Sequence, residues 1–177
     1  EDGQRDFSFY RKPSADMLYD PSYIEDIEVT NEDILHFCSV DLVESAMKQA
    51  HSKMIEKFEK VNGTIVFDPN VRLPLWEDPE ACRQAILEFI PKANVVKVSD
   101  EELEFITGIK DNVVVVIYTK GPKGAQAFTK NKFTIEHQGY KVKAIDTTGA
   151  GDAFIGAVMS RILTSDMIDV AQLFENE

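Results

Sequence analysis

Cysteine is scarce in this sequence. Cys38 and Cys82 are the only two in 177 residues, both lie inside apolar segments, and neither has a neighbour at metal-ligand spacing. Disulfides and a structural zinc are therefore not expected, and two reduced, buried thiols fit a cytoplasmic protein. Long hydrophobic runs are missing as well, since no stretch approaches the roughly 18 apolar residues that a membrane-spanning helix needs. The opening Glu1-Asp2-Gly3-Gln4-Arg5-Asp6 does not have the basic-then-apolar order of a secretory signal. No membrane partner is expected. Positive charge is in deficit, with 19 Lys and Arg against 31 Asp and Glu and a formal net charge of -12. Nucleic acid is thereby disfavoured as a partner, because affinity for a phosphate backbone comes from clustered cations. The same charge repels a nucleotide at long range, so a nucleotide site here must create its own local positive potential.

What the sequence does contain is material for a core: 44% of its residues are hydrophobic and 10% aromatic. At this length that suits one globular domain. Arg5 to Arg11 alternates polar and apolar residues, the pattern of an edge strand with one wet face. Ile34 to Val40 is almost continuously apolar, as in a parallel strand covered on both faces. Val43, Met47, Ala50, Met54 and Phe58 then recur at helical spacing, and Gly63 breaks the helix. Thr64 to Phe67 reads as a second buried strand, ending at Asp68-Pro69-Asn70. Asp78 is a good N-cap and Pro79 suits the first helical position, with Ala85, Ile86, Phe89 and Ile90 on the buried side. Asn94 to Val98 is a third strand, Ser99 to Thr107 a short helix ending at Gly108, and Val113 to Tyr118 a fourth strand. Ala125 to Phe128 and Lys132 to Ile135 are spaced like short antiparallel strands at one edge. The βαβα alternation predicts an α/β fold with a mostly parallel sheet flanked by helices, and ligands at the carboxyl ends of its strands.

The most informative stretch is Asp146-Thr147-Thr148-Gly149-Ala150-Gly151-Asp152-Ala153-Phe154. Phe154, Ile155, Val158, Met159, Ile162 and Leu163 follow on one helical face, so the glycines stand at a helix N-terminus. Free N–H groups of Gly149, Ala150 and Gly151, with the helix dipole, can surround an anion without any lysine. Asp152 sits beside these donors in the first turn. A carboxylate there can take a proton from an alcohol while a transferring phosphoryl group lies against the N–H groups. A purely structural reading also fits this pattern: a favourable first-turn acid, and glycines that let a strand bend into a helix. Ser99 and Glu102 likewise have the spacing of a capping box. Gly121-Pro122 reads as a turn between strands, and Asp68-Pro69 as another.

The stretch from Asp146 to Phe154 closely resembles the C-terminal signature of the ribokinase-like (PfkB) carbohydrate kinases. That resemblance implies an anion hole at Gly149, Ala150 and Gly151 and a catalytic base at Asp152. Lys97 to Glu102 lies where the family has an Asn-x-x-Glu motif that organises magnesium and phosphate, with Ser99 here in place of Asn. It implies that Ser99 and Glu102 serve the nucleotide, with Glu102 acting on Mg2+ indirectly. Thr119-Lys120-Gly121-Pro122-Lys123-Gly124 looks like the family's Thr-x-Gly-x-x-Gly turn, which implies nucleotide contacts at Thr119, Gly121 and Gly124. Asp68 to Arg72 resembles the Asp-x-Asn-x-Arg segment of fructokinases and ketodeoxygluconate kinases, implying sugar contacts at Asn70 and Arg72. Asp6 to Arg11 and His36 to Leu42 look most like bacterial fructokinases, which implies a lid strand over residues 1–12 that brings Arg11 toward the sugar. By the same analogy Asp146 and Thr148 would offer oxygens to K+. Residues 13–177 would be the α/β kinase core, incomplete at both ends and short of one helix around Gly108 to Asn112. The implied activity is ATP-dependent phosphorylation of a hydroxymethyl oxygen of fructose. The alternatives are ketodeoxygluconate or another sugar on the same scaffold, or a noncatalytic sugar- or nucleotide-binding fragment. A homodimer through the lid is also implied. His36, His51 and His137 show no ligand spacing and are expected to be structural.

Overall fold

The computed structural model describes residues 9–106, 113–130, 134–165 and 170. Along the chain run β1 (Ile34–Cys38), α1 (Ala46–Val61), β2 (Thr64–Asp68), α2 (Pro79–Phe89), β3 (Val95–Ser99) and α3 (Asp100–Phe105). β4 (Val115–Thr119), β5 (Ala125–Thr129), β6 (Thr134–His137) and α4 (Ala150–Thr164) follow. The six strands form one sheet in sequence order, β1 to β4 parallel and β5 and β6 antiparallel. The predicted α/β architecture is therefore present, with the antiparallel pair at one edge.

Local chemistry sets the element ends. The Ser45 side chain accepts the Lys48 N–H and starts α1, while Asn62, at a φ of 55°, turns it off. The Gly63 N–H then closes the end on Phe58 O at 2.9 Å. Asp78 accepts the Ala81 N–H at 2.8 Å and Pro79 opens α2, as expected. Several expectations shift. β1 stops at Cys38 because the Ser39 N–H donates to Pro69 O at 2.9 Å and Ser39–Leu42 coils into a 3-10 turn. Val43 consequently lies ahead of α1, and Ile55 takes a buried place in the helix. Phe9, Tyr10 and Arg11 form no strand, and the rest of the expected Arg5 to Arg11 strand lies outside the described residues. Thr107 and Gly108, and Lys132 and Phe133, are also outside them.

Because side chains alternate along a strand, β2 and β3 feed two different cores. Ile65, Phe67, Val96 and Val98 pack with Ile55 and Phe58 of α1, with Ile86 and Phe89 of α2, and with Ile106. Val66, Val95, Val115 and Ile117 pack on the other face against Ile155, Phe154, Val158 and Ile162 of α4. The cysteines are free, and burial pushes both thiols up to about 11. No helix among the described residues is long and apolar enough to cross a membrane.

Candidate active site

The face that α4 covers changes character at the carboxyl end of the sheet. Ile34, Val66 and Val95 belong to its apolar core, and two residues further along the same strands stand His36, Asp68 and Lys97. A period of two keeps all three on the α4 side. Lys97 Nζ donates to Asp68 at 3.1 Å, with the two side chains only 9% and 5% exposed. Burial raises the Asp68 carboxyl above its usual range, against the opposing pull of the Lys97 ammonium. Burial lowers the His36 imidazole, while the negative charges of Asp68 and Asp152 act to raise it.

Above this cluster begins α4. Gly149 caps the helix at a φ of 73°, a conformation that favours glycine, and Asp152 lies in the first turn. Lys97 Nζ lies 3.4 Å from where a Cβ on Gly151 would sit. The Ala150 N–H, expected to be free, is bonded to Thr147 O at 3.2 Å. Among the described residues, the N–H groups of Gly149, Gly151 and Asp152 form no hydrogen bond and are the donors that remain. Gly149, Ala150 and Asp152 are exposed, open to an incoming ligand.

Most of the other residues singled out from sequence lie at the carboxyl ends of successive parallel strands or just beyond them. Arg11 reaches the loop after β1, donating to Val40 O at 2.8 Å and pairing with Asp16. Asn70, at a φ of 44°, and Arg72 follow β2, and Arg72 donates to Val71 O at 2.9 Å. After β3, Glu102 accepts the Ser99 N–H at 2.9 Å, the Ser99 hydroxyl at 3.0 Å and the Val71 N–H at 2.9 Å. With Ser99 accepting the Glu102 N–H, the capping box is complete, and Glu102 also braces the loop after β2. At the end of β4, Thr119 donates to Val98 O at 3.3 Å. Gly121 adopts a φ of 52°, whereas a Cβ on Gly124 would come within 1.9 Å of His137 O, so backbone packing requires that glycine. Asp146 accepts the Thr148 N–H at 2.6 Å just before α4. Among the described residues no group of three or more His, Cys, Asp or Glu could hold a metal ion.

Sequence reasoning did not bring Lys97, Asp68 and His36 together beneath α4. The signal was available for Lys97, a cation inside a strand expected to be covered on both faces. Ligands of parallel α/β sheets bind at this carboxyl edge, and the assembled groups supply anion donors, a cation and an exposed carboxylate.

Residues 1–173 match the family model described as pfkB family carbohydrate kinase. Fructokinase-2 of Solanum lycopersicum is 39% identical over 98% of this chain and 57% of its own length. A probable fructokinase-5 of Arabidopsis thaliana is 40% identical over 90% of this chain and 52% of its own length. Among solved structures, a fructokinase double mutant from Vibrio cholerae O395, bound to fructose, ADP and potassium ion, superposes with a TM-score of 0.84. It is 34% identical, covering 97% of this chain and 57% of that one. Aminoimidazole riboside kinase from Salmonella enterica gives a TM-score of 0.83 at 25% identity, covering 96% of this chain and 60% of that one. The chain thus spans little more than half the length of the relatives it matches.

Proposed function

The chain belongs to the pfkB family of carbohydrate kinases, and on that premise we propose that the whole protein transfers the γ-phosphoryl group of ATP to a hydroxymethyl oxygen of fructose. The observation that carries this reading is the start of α4, whose open N–H groups and exposed Asp152 stand over the polar carboxyl ends of β1 to β3. The alcohol oxygen attacks the γ-phosphorus as the bond to the β-phosphate oxygen breaks, and Asp152 takes the alcohol proton. Gly149, Gly151 and Asp152 N–H groups receive the phosphoryl oxygens, and Ala150 lines the same turn. The loops holding Thr119, Gly121 and Gly124 serve the nucleotide, and those holding Arg11, Asn70 and Arg72 serve the sugar.

Magnesium supplies charge neutralisation between the phosphates when bound. The three hydrogen bonds that Glu102 accepts leave about one of its four acceptor positions open. That fits a water-mediated part in holding the metal, with ATP as the main ligand. Asp146 and Thr148 would offer oxygens to potassium.

The same reading takes residues 1–12 as a lid strand ahead of a core over residues 13–177, in a cytoplasmic enzyme that dimerises through the lid. Sedimentation of the complete protein at micromolar concentration is expected to give a dimer; a monomer removes that claim alone. The substrate is tested by a coupled assay of the complete protein with a panel of sugars. ATP consumption is expected to depend on fructose, and a preference for ketodeoxygluconate or another sugar would reassign the substrate. ATP binding with no turnover on any sugar would leave a binding protein.

A further inference from the structure

β3 places a lysine where the same face otherwise presents aliphatic side chains. Val95 is fully buried in the core beneath α4, and Lys97, two residues on, is 7% exposed. Withdrawing an ammonium from water costs several kcal/mol, which a buried partner offsets only in good geometry, and an apolar pair of similar volume would fill the space at no greater cost. Packing therefore gives no reason for Lys97 and Asp68. Their position does. The ammonium is held 3.1 Å from Asp68 and lies 3.4 Å from the Cβ position of Gly151, directly below the first turn of α4. Two other cations at this edge are engaged elsewhere: Arg11 with Val40 and Asp16, Lys120 with Glu136. His36 is lowered by burial.

We propose that Lys97 is a catalytic residue of the transfer reaction, its ammonium contacting the non-bridging oxygens of the same phosphoryl group that the Gly151 and Asp152 N–H groups receive, with Asp68 as its positioning residue. The proposal rests on the kinase reading above. As the alcohol oxygen bonds to phosphorus, the electron pair of the breaking bond leaves on ADP and the alcohol proton goes to Asp152. Lys97 neither gives nor takes a proton; it neutralises charge on the oxygens in flight. A side chain at Gly151 would then lie against the ammonium, its Cβ 3.4 Å away, and crowd the path to those oxygens.

The test uses the complete protein and separates a catalytic amine from a structural pair. Lys97→Met is expected to lower kcat by about 100-fold, with the KM for fructose within a few-fold of wild type. It also leaves Asp68 buried without its partner, so Tm falls. The double variant Asp68→Asn/Lys97→Met removes both charges and is expected to regain most of the Tm while kcat stays low. Asp68→Asn alone, which keeps the amine, is expected to lose less kcat than Lys97→Met. Recovery of kcat in the double variant, or a loss in Asp68→Asn as large as in Lys97→Met, overturns the proposal. A wild type that phosphorylates no sugar would instead sink the kinase reading on which it rests.

Discussion

On the face covered by α1, α2 and α3, β2 and β3 present Ile65, Phe67, Val96 and Val98 along their whole length, all buried. On the α4 face the same two strands pass from Val66 and Val95 to Asp68 and Lys97 within two residues. The first face is a continuous hydrocarbon layer, and nothing in it distinguishes one end of the sheet from the other. The second is hydrocarbon for half its length and charged where the strands end. The first face thus carries more of the apolar packing, while the other gives up apolar contacts at its carboxyl edge, where the start of α4 brings donors and a carboxylate.

The hydrocarbon face is where a single substitution should cost most. Phe67 is fully buried and stacks on Phe37 with ring centroids 4.7 Å apart, and Phe37 meets Phe89 edge-on at 6.0 Å. Phe67→Ala should cost about 3–5 kcal/mol through lost burial and the cavity left behind. Denaturant titration checks it, and a loss below about 1 kcal/mol would mean that this face is not the stabilising one. A smaller effect sharpens the other side. Gly151→Val should crowd Lys97 and the open N–H groups and weaken nucleotide binding by about tenfold, or ~1.4 kcal/mol, with Tm little changed. Unchanged nucleotide affinity in a calorimetric titration would count against an anion site at this turn.

Much of the fold was legible because its signals are local. Asp78-Pro79 announces α2, the spacing of Ser99 and Glu102 announces a capping box, and unbroken apolar runs announce strands covered on both faces. The glycine turn was legible for the same reason, being contiguous in sequence. The cluster below it was not. Asp68 and Lys97 are 29 residues apart, and only the parallel pairing of β2 with β3 sets them on one face under α4. The end of β1 was misjudged for a related reason: Ser39 and Val40 look like strand continuation until the Pro69 carbonyl, from the next strand's loop, captures the Ser39 N–H. Ala150 looks in sequence like a free donor, because the capture of its N–H by Thr147 O depends on the turn geometry and not on residue type.

On the kinase reading, Asp152, at the open start of α4, is the base of the phosphoryl transfer. Asp152→Asn keeps the shape of the side chain and removes its ability to accept the proton. In the complete protein, a coupled assay with ATP and fructose should show kcat lowered by about 10³-fold or more, with the thermal transition and ATP affinity of wild type. Activity within a few-fold of wild type would contradict the claim.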